Sequence, residues 1–400
     1  MKINSPSLFI EINNLEYIFA VGDENEQNNF NLIYKCIVPI QGIENFKITD
    51  FDLVFNDIKK NIYFIEQKLN YTFKNLILIL NNFNYSFINL SGFTKLNGSQ
   101  ILKENITYIL NSLKSNIIET EEKKTILHIF NSKYVLDKKK VENLPIGLFG
   151  DFYSHELSFC LINNNDYKNL YNIFNSCNLK IKKVLLKSFV EGTLLSDKNL
   201  NLNTFFKIKI NEDSSQIFYF ENDALKFEQK FNFGSELILK DISKVTSLNL
   251  DTVNKILNGN KFNKDISNVE LLKKDLFENI PYRKIKKKLI FDIAEARIKE
   301  LSEIMITKNI NILTYQKKDS VIFFTVANKN CLNCFEETFF LHFSNNDYFS
   351  IKYLEDIPTE QLMENVNGLV HFGWKKEAIP VIQAKKSILA RFFDALFKFN

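Results

Sequence analysis

Residues 205–234, FFKIKINEDSSQIFYFENDALKFEQKFNFG, decide the fold of this protein. Apolar and alternating runs are separated by two short polar turns, a pattern that predicts a β-ribbon of the form strand, turn, strand, turn, strand. Residues 7–21, SLFIEINNLEYIFAV, predict the same opening, with a turn at Asn13 and Asn14. The repetition therefore predicts an α/β chain of two related halves, each beginning with a ribbon.

Each half is interrupted by an insertion. In the first half, a helix near 54–70 and a buried strand at 75–80 precede a strand-helix-strand-strand unit over residues 83–161. In the second half, a helical subdomain over roughly 235–287 is followed by a long helix, IFDIAEARIKELSEIM, and then by a strand, SVIFFTV.

Composition limits the class of protein. Four hundred residues exceed one ordinary domain, and 45% hydrophobic residues are ample for a core. A net charge of +4 is too small a basic excess to indicate nucleic-acid binding, and the basic run 282–288 is interpreted as a solvated turn. No apolar run reaches the length of a membrane span and no signal peptide is evident, so we expect a cytoplasmic location.

Catalytic and metal motifs are absent from the sequence. Cys331 and Cys334 form a lone CxxC without a second pair, and His342 lies in an apolar run, ETFFLHFS, that resembles a strand. We therefore expect no metal site. Ser154 and His155 are neighbours in a predicted strand and point to opposite faces, so they do not form a catalytic dyad.

The last residues, SILARFFDALFKFN (387–400), predict a short amphipathic helix. Two lysines at its entrance are typical of a helix on an anionic membrane surface, although packing on the core is the alternative. About eleven helical residues span about 17 Å, roughly half of a hydrocarbon core, so such a helix lies on the membrane. The predicted membrane-binding residues are Ile388, Leu389, Arg391, Phe392, Phe393, Leu396, Phe397 and Lys398.

The duplicated plan resembles the actin/Hsp70/sugar-kinase superfamily and, within it, the FtsA family of bacterial cell-division proteins. FIEINNLEYIFAVGD lies over the family's opening strand-turn-strand, LDIGTSKVAALVGE. TILHIFNSKYVLDKKKVENLPIGLFGDFYSHELSFCLINN resembles the family's ILHVxPxxYxxDxxxxIxDPxGMxGxxLExxxHxxT. IFDIAEARIKELSEIM is similar to the helix IIExRxEEIFELV, and the tail resembles the family's membrane-targeting helix.

The resemblance implies an actin-like, ribonuclease-H-like two-lobed fold with an inserted SHS2-type α+β domain and a C-terminal amphipathic helix. The implied divisions are subdomain IA (1–82 and 162–200), the inserted 1C domain (83–161), subdomain IIA (201–240 and 303–357), subdomain IIB (241–302), a return helix (358–373), a linker (374–386) and the membrane-targeting helix (387–400).

The nucleotide loops depart from the family pattern. Actin-like ATPases use glycine-rich turns because backbone N–H groups must approach the phosphates. Here KINEDSSQ replaces DIGGGTTD in the second loop, and its two new carboxylates would repel phosphate. The altered positions are Glu11, Asn13, Asn14 and Glu16 in the first loop, Lys209, Asn211, Glu212, Asp213, Ser214, Ser215 and Gln216 in the second, and Thr325 and Val326 in the third.

These departures predict a protein that is not an enzyme and needs no cofactor, although the family binds ATP with Mg²⁺. The resemblance implies an adaptor at the cytoplasmic face of the inner membrane at the division site. Subdomain IIB would bind the C-terminal peptide of FtsZ, and the 1C domain would mediate contacts between protomers, which self-associate, and with later division proteins. The alternatives are a working actin-like ATPase and a pilus-assembly actin-like protein that binds a partner peptide.

Overall fold

The computed structural model describes residues 6–13, 15–24, 30–44, 47–81, 83–199, 202–259, 267, 269–277, 281–317, 319–343 and 349–378. The predicted membrane-binding residues and Asn14 lie outside these ranges. The chain forms two compact units, the first ending at Leu186 and resuming at Asn367, and the second spanning Lys187–Val366. None of the helices in the described ranges is both long and apolar enough to cross a bilayer.

In the described residues, the first unit contains a five-stranded sheet, a four-stranded sheet and a two-stranded sheet formed by residues 43–44 and 47–48. In chain order its elements are β1 (Ser7–Ile12), β2 (Glu16–Glu24), β3 (Phe30–Pro39), β4 (Ile43–Glu44), β5 (Lys47–Ile48), α1 (Phe51–Leu69), β6 (Asn75–Leu80), β7 (Tyr85–Lys95), α2 (Lys103–Thr120), β8 (Lys124–Leu136), β9 (Lys139–Val141), β10 (Phe152–Asn163), α3 (Asn164–Ser176) and β11 (Lys180–Leu186). The larger sheet has the order β11-β6-β1-β2-β3, and its β1–β6 and β6–β11 pairs are parallel. The continuous apolar run of β6 fits this central place, because both faces of such a strand are covered.

Helix α1 begins earlier than the apolar spacing predicts. The side chain of Asp50 accepts a hydrogen bond from the backbone N–H of Leu53 at 3.0 Å and so caps the first turn. The helix buries Ile58, Ile62 and Ile65, as the spacing predicts, and stops where Asn70 turns into the left-handed conformation.

The insertion in the first unit is a four-stranded antiparallel sheet of order β7-β10-β8-β9. Helix α2 packs on one face, where a Cβ at Gly92 would lie 2.5 Å from Ile109, so the glycine lets the helix approach the strand. Leu157, Phe159 and Leu161 of β10 join the core beneath the helix. The predicted strand-helix-strand-strand order of this insertion is present, while its assignment as an SHS2-type domain stays a prediction.

The second unit has one five-stranded sheet of order β14-β13-β12-β15-β16. Its elements are α4 (Lys187–Lys198), β12 (Phe205–Ile210), β13 (Ser215–Glu221), β14 (Ala224–Phe231), α5 (Glu236–Thr246), α6 (Leu250–Gly259), a 3-10 turn (Lys274–Phe277), α7 (Lys287–Ser302), a π turn (Glu303–Thr307), α8 (Ile310–Tyr315), β15 (Ser320–Val326), α9 (Lys329–Phe343), β16 (Phe349–Tyr353) and α10 (Thr359–His371), within which the division between the units falls. β12, β13 and β14 form the antiparallel ribbon that opens the half, and β12, β15 and β16 run parallel.

The strand-like interpretation of ETFFLHFS is wrong, because this run continues α9 as far as Phe343. The side chain of Asn328 accepts the backbone N–H of Asn330, and its carbonyl accepts that of Cys331, so a local cap starts a helix. Cys331, Cys334 and Phe335 are buried at helical spacing. The helical period therefore overrides the β-propensity of the aromatic residues.

Candidate functional site

The first loop, between β1 and β2, is held closed by the side chain of Asn13. Oδ1 of Asn13 accepts hydrogen bonds from the backbone N–H groups of Leu15 at 2.7 Å and Glu16 at 2.8 Å. The backbone N–H of Asn13 donates to the carbonyl oxygen of Glu16 at 3.2 Å. Backbone donors of this kind are what a turn offers to a phosphate. An anion at this turn would have to displace the Asn13 side chain.

Glu11 stands on β1 at the family's aspartate position and is fully buried. Its Oε1 accepts a hydrogen bond from Nδ2 of Asn81 at 3.2 Å, and the backbone N–H of Asn81 donates to the carbonyl oxygen of Ile12 at 2.9 Å. The Glu11 carboxylate therefore accepts a hydrogen bond from Asn81, the residue that follows β6.

The second loop, between β12 and β13, is also bonded internally. The backbone N–H of Asn211 donates to the carbonyl oxygen of Ser214 at 2.8 Å, and Oγ of Ser214 donates to Oδ1 of Asp213 at 2.9 Å. Glu212 and Asp213 are exposed, whereas Gln216 is buried in β13. This turn presents carboxylates to solvent where the family presents glycines.

Helix α5 begins directly against the second loop. The backbone N–H groups of Ser235 and Glu236 donate to the carbonyl oxygens of Asn211 and Glu212, both at 2.9 Å. A Cβ at Gly234 would lie 2.3 Å from the carbonyl oxygen of Asn211, so only glycine permits this approach. Two N–H groups at the start of α5 are thus bonded to backbone carbonyls of the second loop.

The third loop follows β15 beside the second. Lys209 and Thr325 are register partners in the parallel pair β12–β15, as are Ile210 and Val326. Thr325 and Val326 are buried, and the backbone N–H after Val326 donates to the carbonyl oxygen of Ile210 at 2.8 Å. The structure therefore brings the second and third loop positions together at the carboxyl ends of two neighbouring strands, where ligands of open α/β sheets bind.

A buried ion pair lies beside these loops. Nζ of Lys207 on β12 is 2.5 Å from Oε2 of Glu191 on α4, and both side chains are nearly inaccessible. Lys207 also lies over the ring of Phe218, 5.6 Å from its centroid. Burial alone would raise the pKa of Glu191, but the charges of Lys207, Lys209 and Lys187 lower it to about 2. Glu191 is therefore a carboxylate. Burial lowers the pKa of Lys207, while the charge of Glu191 opposes that shift and favours the ammonium form.

Our prediction from the sequence missed this pair, although each member carries a signal. Lys207 interrupts an otherwise apolar run, FFKI, and Glu191 interrupts another, SFVEGTLL. A charge in an apolar run predicts burial with a partner. Lys209, two residues along β12, instead reaches Oδ1 of Asp356 at 3.3 Å near the surface.

The loop residues do not fit a nucleotide with Mg²⁺ as the family binds it. In the first loop the N–H groups of Leu15 and Glu16 are bonded to Asn13. In the second loop Glu212 and Asp213 are exposed, and their charges repel phosphate. In the parts of the chain that the structure describes, no group of three or more histidine, cysteine or acidic side chains is arranged to hold a metal ion.

Cys331 and Cys334 lie on α9, and both are buried. Burial raises the pKa of each thiol to about 12. Since the thiolate is the form that attacks and binds metals, these cysteines are packed as neutral apolar groups.

A second polar cluster, the Glu377 junction, lies in the first unit and consists of Glu377, His128 and Lys183. Oε1 of Glu377 is 2.8 Å from Nδ1 of His128, and Oε2 is 2.8 Å from Nζ of Lys183. Burial alone would raise the pKa of Glu377, but the hydrogen bond with His128 and the charge of Lys183 lower it to about 2. In the sequence, His128 lies in the apolar run ILHIF, which is typical of a core or edge histidine.

Backbone pairing surrounds the Glu377 junction. The N–H of Asn131 donates to the carbonyl oxygen of Lys376, and the N–H of Ala378 donates to that of Ile129, both at 2.7 Å. The start of the predicted linker therefore extends the inserted sheet along the edge of β8.

The basic run 282–288 is exposed from Tyr282 to Lys284 and at Lys286, buried at Ile285, and half-buried at Lys287 and Lys288, where α7 begins. Lys287 pairs with Glu270, and the side chain of Arg283 donates to the carbonyl oxygen of Thr246 at 3.4 Å. This segment lies within the predicted peptide-binding subdomain, residues 241–302.

Comparison with known proteins places these features in context. The chain is 23% identical over 410 residues to the cell division protein FtsA of Buchnera aphidicola subsp. Acyrthosiphon pisum (strain APS), covering 97% of this chain and 95% of that protein. It is 19% identical over 243 residues to FtsA of Neisseria meningitidis serogroup B (strain ATCC BAA-335 / MC58), covering 60% of this chain and 58% of that protein. No protein-family model matches the chain.

Among solved structures, the PilM-PilN type IV pilus biogenesis complex contains a chain that superposes with a TM-score of 0.53. The two are 9% identical, and the match covers 91% of this chain and 95% of that one. The actin-like α/β fold expected from the sequence is thereby confirmed. The similarity to the FtsA protein of Buchnera extends over nearly the whole chain at 23% identity, and that to the Neisseria protein over 60% of the chain at 19%.

Proposed function

We propose that this protein is a non-enzymatic cell-division adaptor that attaches the FtsZ filament to the cytoplasmic face of the inner membrane. The observation that carries the proposal is the similarity to the FtsA protein of Buchnera aphidicola subsp. Acyrthosiphon pisum over 97% of the chain. In this proposal, residues 241–302 bind the C-terminal peptide of FtsZ, the inserted sheet contacts later division proteins, and the protein self-associates in the actin-like manner. Residues 387–400 bind anionic lipid.

A single short helix gives only a weak anchor, comparable to one myristoyl chain at about 10⁴ M⁻¹. Self-association or attachment to a filament would present many such helices together and so raise their effective concentration. The proposed adaptor therefore binds the membrane firmly only as an assembly, which suits a protein that acts at the division site.

The membrane part is tested by sedimenting the full chain with anionic liposomes beside a chain that ends at Lys386. We expect the truncation to lose most of the binding, because it removes the predicted apolar stripe. Phe392→Glu in the full chain should lose binding similarly. Asp394→Asn, on the predicted polar side, should retain it. Equal binding by both chains, or none by either, would contradict the proposal and favour the pilus-type alternative.

The non-enzymatic part is tested by thermal unfolding with millimolar Mg-ATP. We expect the midpoint to match that in Mg²⁺ alone, because the first-loop donors are bonded to Asn13 and the second loop carries Glu212 and Asp213. A ligand at a hundred times its dissociation constant would stabilise the protein by about 2.7 kcal/mol. A saturable rise in the midpoint would therefore favour the actin-like ATPase alternative, without affecting the membrane test.

A further inference from the structure

The five-stranded sheet of the first unit has a cavity at the end away from the nucleotide loops. Its lining includes the starts of β1 and β6, the end of β2 and the chain between α1 and β6, and all of its lining residues belong to the first unit. Leu8 of β1 lines it, roughly 17 Å along the strand from Asn13 in the first loop. Its volume of about 590 Å³ is typical of a small-molecule site. The cavity is therefore separate from the nucleotide loops.

Aromatic side chains form walls of this cavity. A Cβ at Gly22 would lie 2.2 Å from the ring of Phe30, so glycine lets that ring lie against β2. The ring also packs edge-on against Phe9, with 5.8 Å between the ring centroids. Elsewhere in the lining, Tyr71 and Phe73 pack edge-on in the same way at 5.1 Å. These contacts hold the aromatic walls in place before any ligand binds.

Two lysines in the lining are placed to bind an anion. Lys74 precedes β6, and Lys182 lies on β11, where the backbone N–H of Lys180 donates to the carbonyl oxygen of Lys74 at 3.0 Å. The register shifts between Ile181 and Lys183, so Lys182 is the extra residue of a β-bulge, a feature that redirects side chains and is common beside active sites. In the ranges that the structure describes, neither lining lysine forms an ion pair.

We infer that this cavity binds a small organic phosphate. By strand geometry, the Cα atoms of Lys74 and Lys182 are roughly 10 Å apart, so both long side chains can reach one phosphoryl group. The apolar or aromatic part of the ligand lies against Phe30 and Tyr71. Asp23 adds one carboxylate to the lining, so the two lysines leave a net positive charge that favours an anion. The inference is independent of the proposed function.

Calorimetric titration of the full chain with phenyl phosphate tests this inference, because that probe carries both a phosphoryl group and an aromatic ring. We expect saturable binding at one site. Inorganic phosphate lacks the ring and should bind at least roughly tenfold more weakly. Benzyl alcohol lacks the charge and should show no measurable binding. Equal affinity for phenyl phosphate and inorganic phosphate would contradict the inference, since lysines on an open surface bind both alike.

Two lysine variants and a matched control locate the site. Lys74→Met and Lys182→Met should each weaken phenyl phosphate binding roughly tenfold, because each removes one charge and keeps the apolar stem. Lys180→Met removes the same charge from an exposed position on β11 outside the lining and should leave the affinity unchanged. Circular dichroism checks that all three variants fold. Absence of saturable binding by the unmodified chain, or the same affinity in Lys182→Met as in Lys180→Met, would overturn the inference.

Discussion

Replacing Lys207 by Met should destabilise the second unit by about 3 to 5 kcal/mol, because it leaves the carboxylate of Glu191 buried without its ammonium partner. Methionine keeps the length of the apolar stem over Phe218, so packing changes little. In a unit of this size, the loss corresponds to a fall of roughly 6 to 20 °C in the unfolding midpoint. Thermal unfolding followed by circular dichroism measures it.

Two further variants separate the charge from the packing. The double variant K207M/E191L replaces the whole pair with apolar side chains and should regain most of the lost stability, since a buried ion pair contributes little net stability over apolar groups. Lys209→Met removes a pair whose acid, Asp356, is 56% exposed, and should cost less than about 1 kcal/mol. A double variant as unstable as K207M would show that the pair is needed for more than mutual neutralisation.

The pH dependence of stability distinguishes Glu191 paired with Lys207 from Glu191 left without that partner. In the unmodified chain its pKa is lowered from 4.5 to about 2, so its stabilising contribution is complete above pH 4.5 and is lost as the pH falls toward 2. In K207M the charge of Lys207 is gone and burial should raise this pKa. The loss of stability in K207M relative to the unmodified chain should therefore be greatest at neutral pH and shrink in acid. Protonation of Glu191 thus stabilises the variant, whereas it destabilises the unmodified chain.

The ribbons and central strands could be predicted because their signals are local. The apolar run NLILIL became β6, and the repeated ribbon became β12, β13 and β14 within a residue or two. Lys207 interrupts an apolar run, but its burial with Glu191 was not predicted, because the alternation of lysines in FFKIKI also fits a strand with one face in water. The face is covered by α4, which supplies Glu191 from sixteen residues away. The alternation of residues along a strand indicates which residues share a face, but not which element covers that face.

The predicted linker shows the same limit for backbone pairing. Its polar residues and proline are typical of a connection, yet Lys376 and Ala378 bond to β8 through main-chain groups. Main-chain hydrogen bonds can form with almost any side chain, so composition does not reveal them. The nucleotide-loop positions could be predicted, because the loss of glycine is visible in the sequence itself. The structure adds that Asn13 accepts the backbone N–H groups of Leu15 and Glu16 in the first loop.

Replacing Glu377 by Gln should loosen the end of the first unit, because Glu377 holds both His128 and Lys183 at 2.8 Å. The lowered pKa of Glu377, about 2 against 4.5, corresponds to at most about 3 kcal/mol of stabilisation. Local opening should become roughly ten- to hundredfold more frequent. Hydrogen exchange at the amides of Asn131 and Ala378, both bonded across this junction, reports it directly.

The lowered pKa of Glu377 also sets the direction in which amide protection changes with pH, and this provides a control. Because the folded pKa of Glu377 is lowered, protection of these amides should be complete above pH 4.5 and decline as the pH falls toward 2. The E377Q variant should lack this decline. Glu142→Gln should behave like the unmodified chain, since Glu142 is exposed and contributes only its backbone carbonyl to Lys376. Unchanged exchange in E377Q would show that the backbone pairing alone holds the segment.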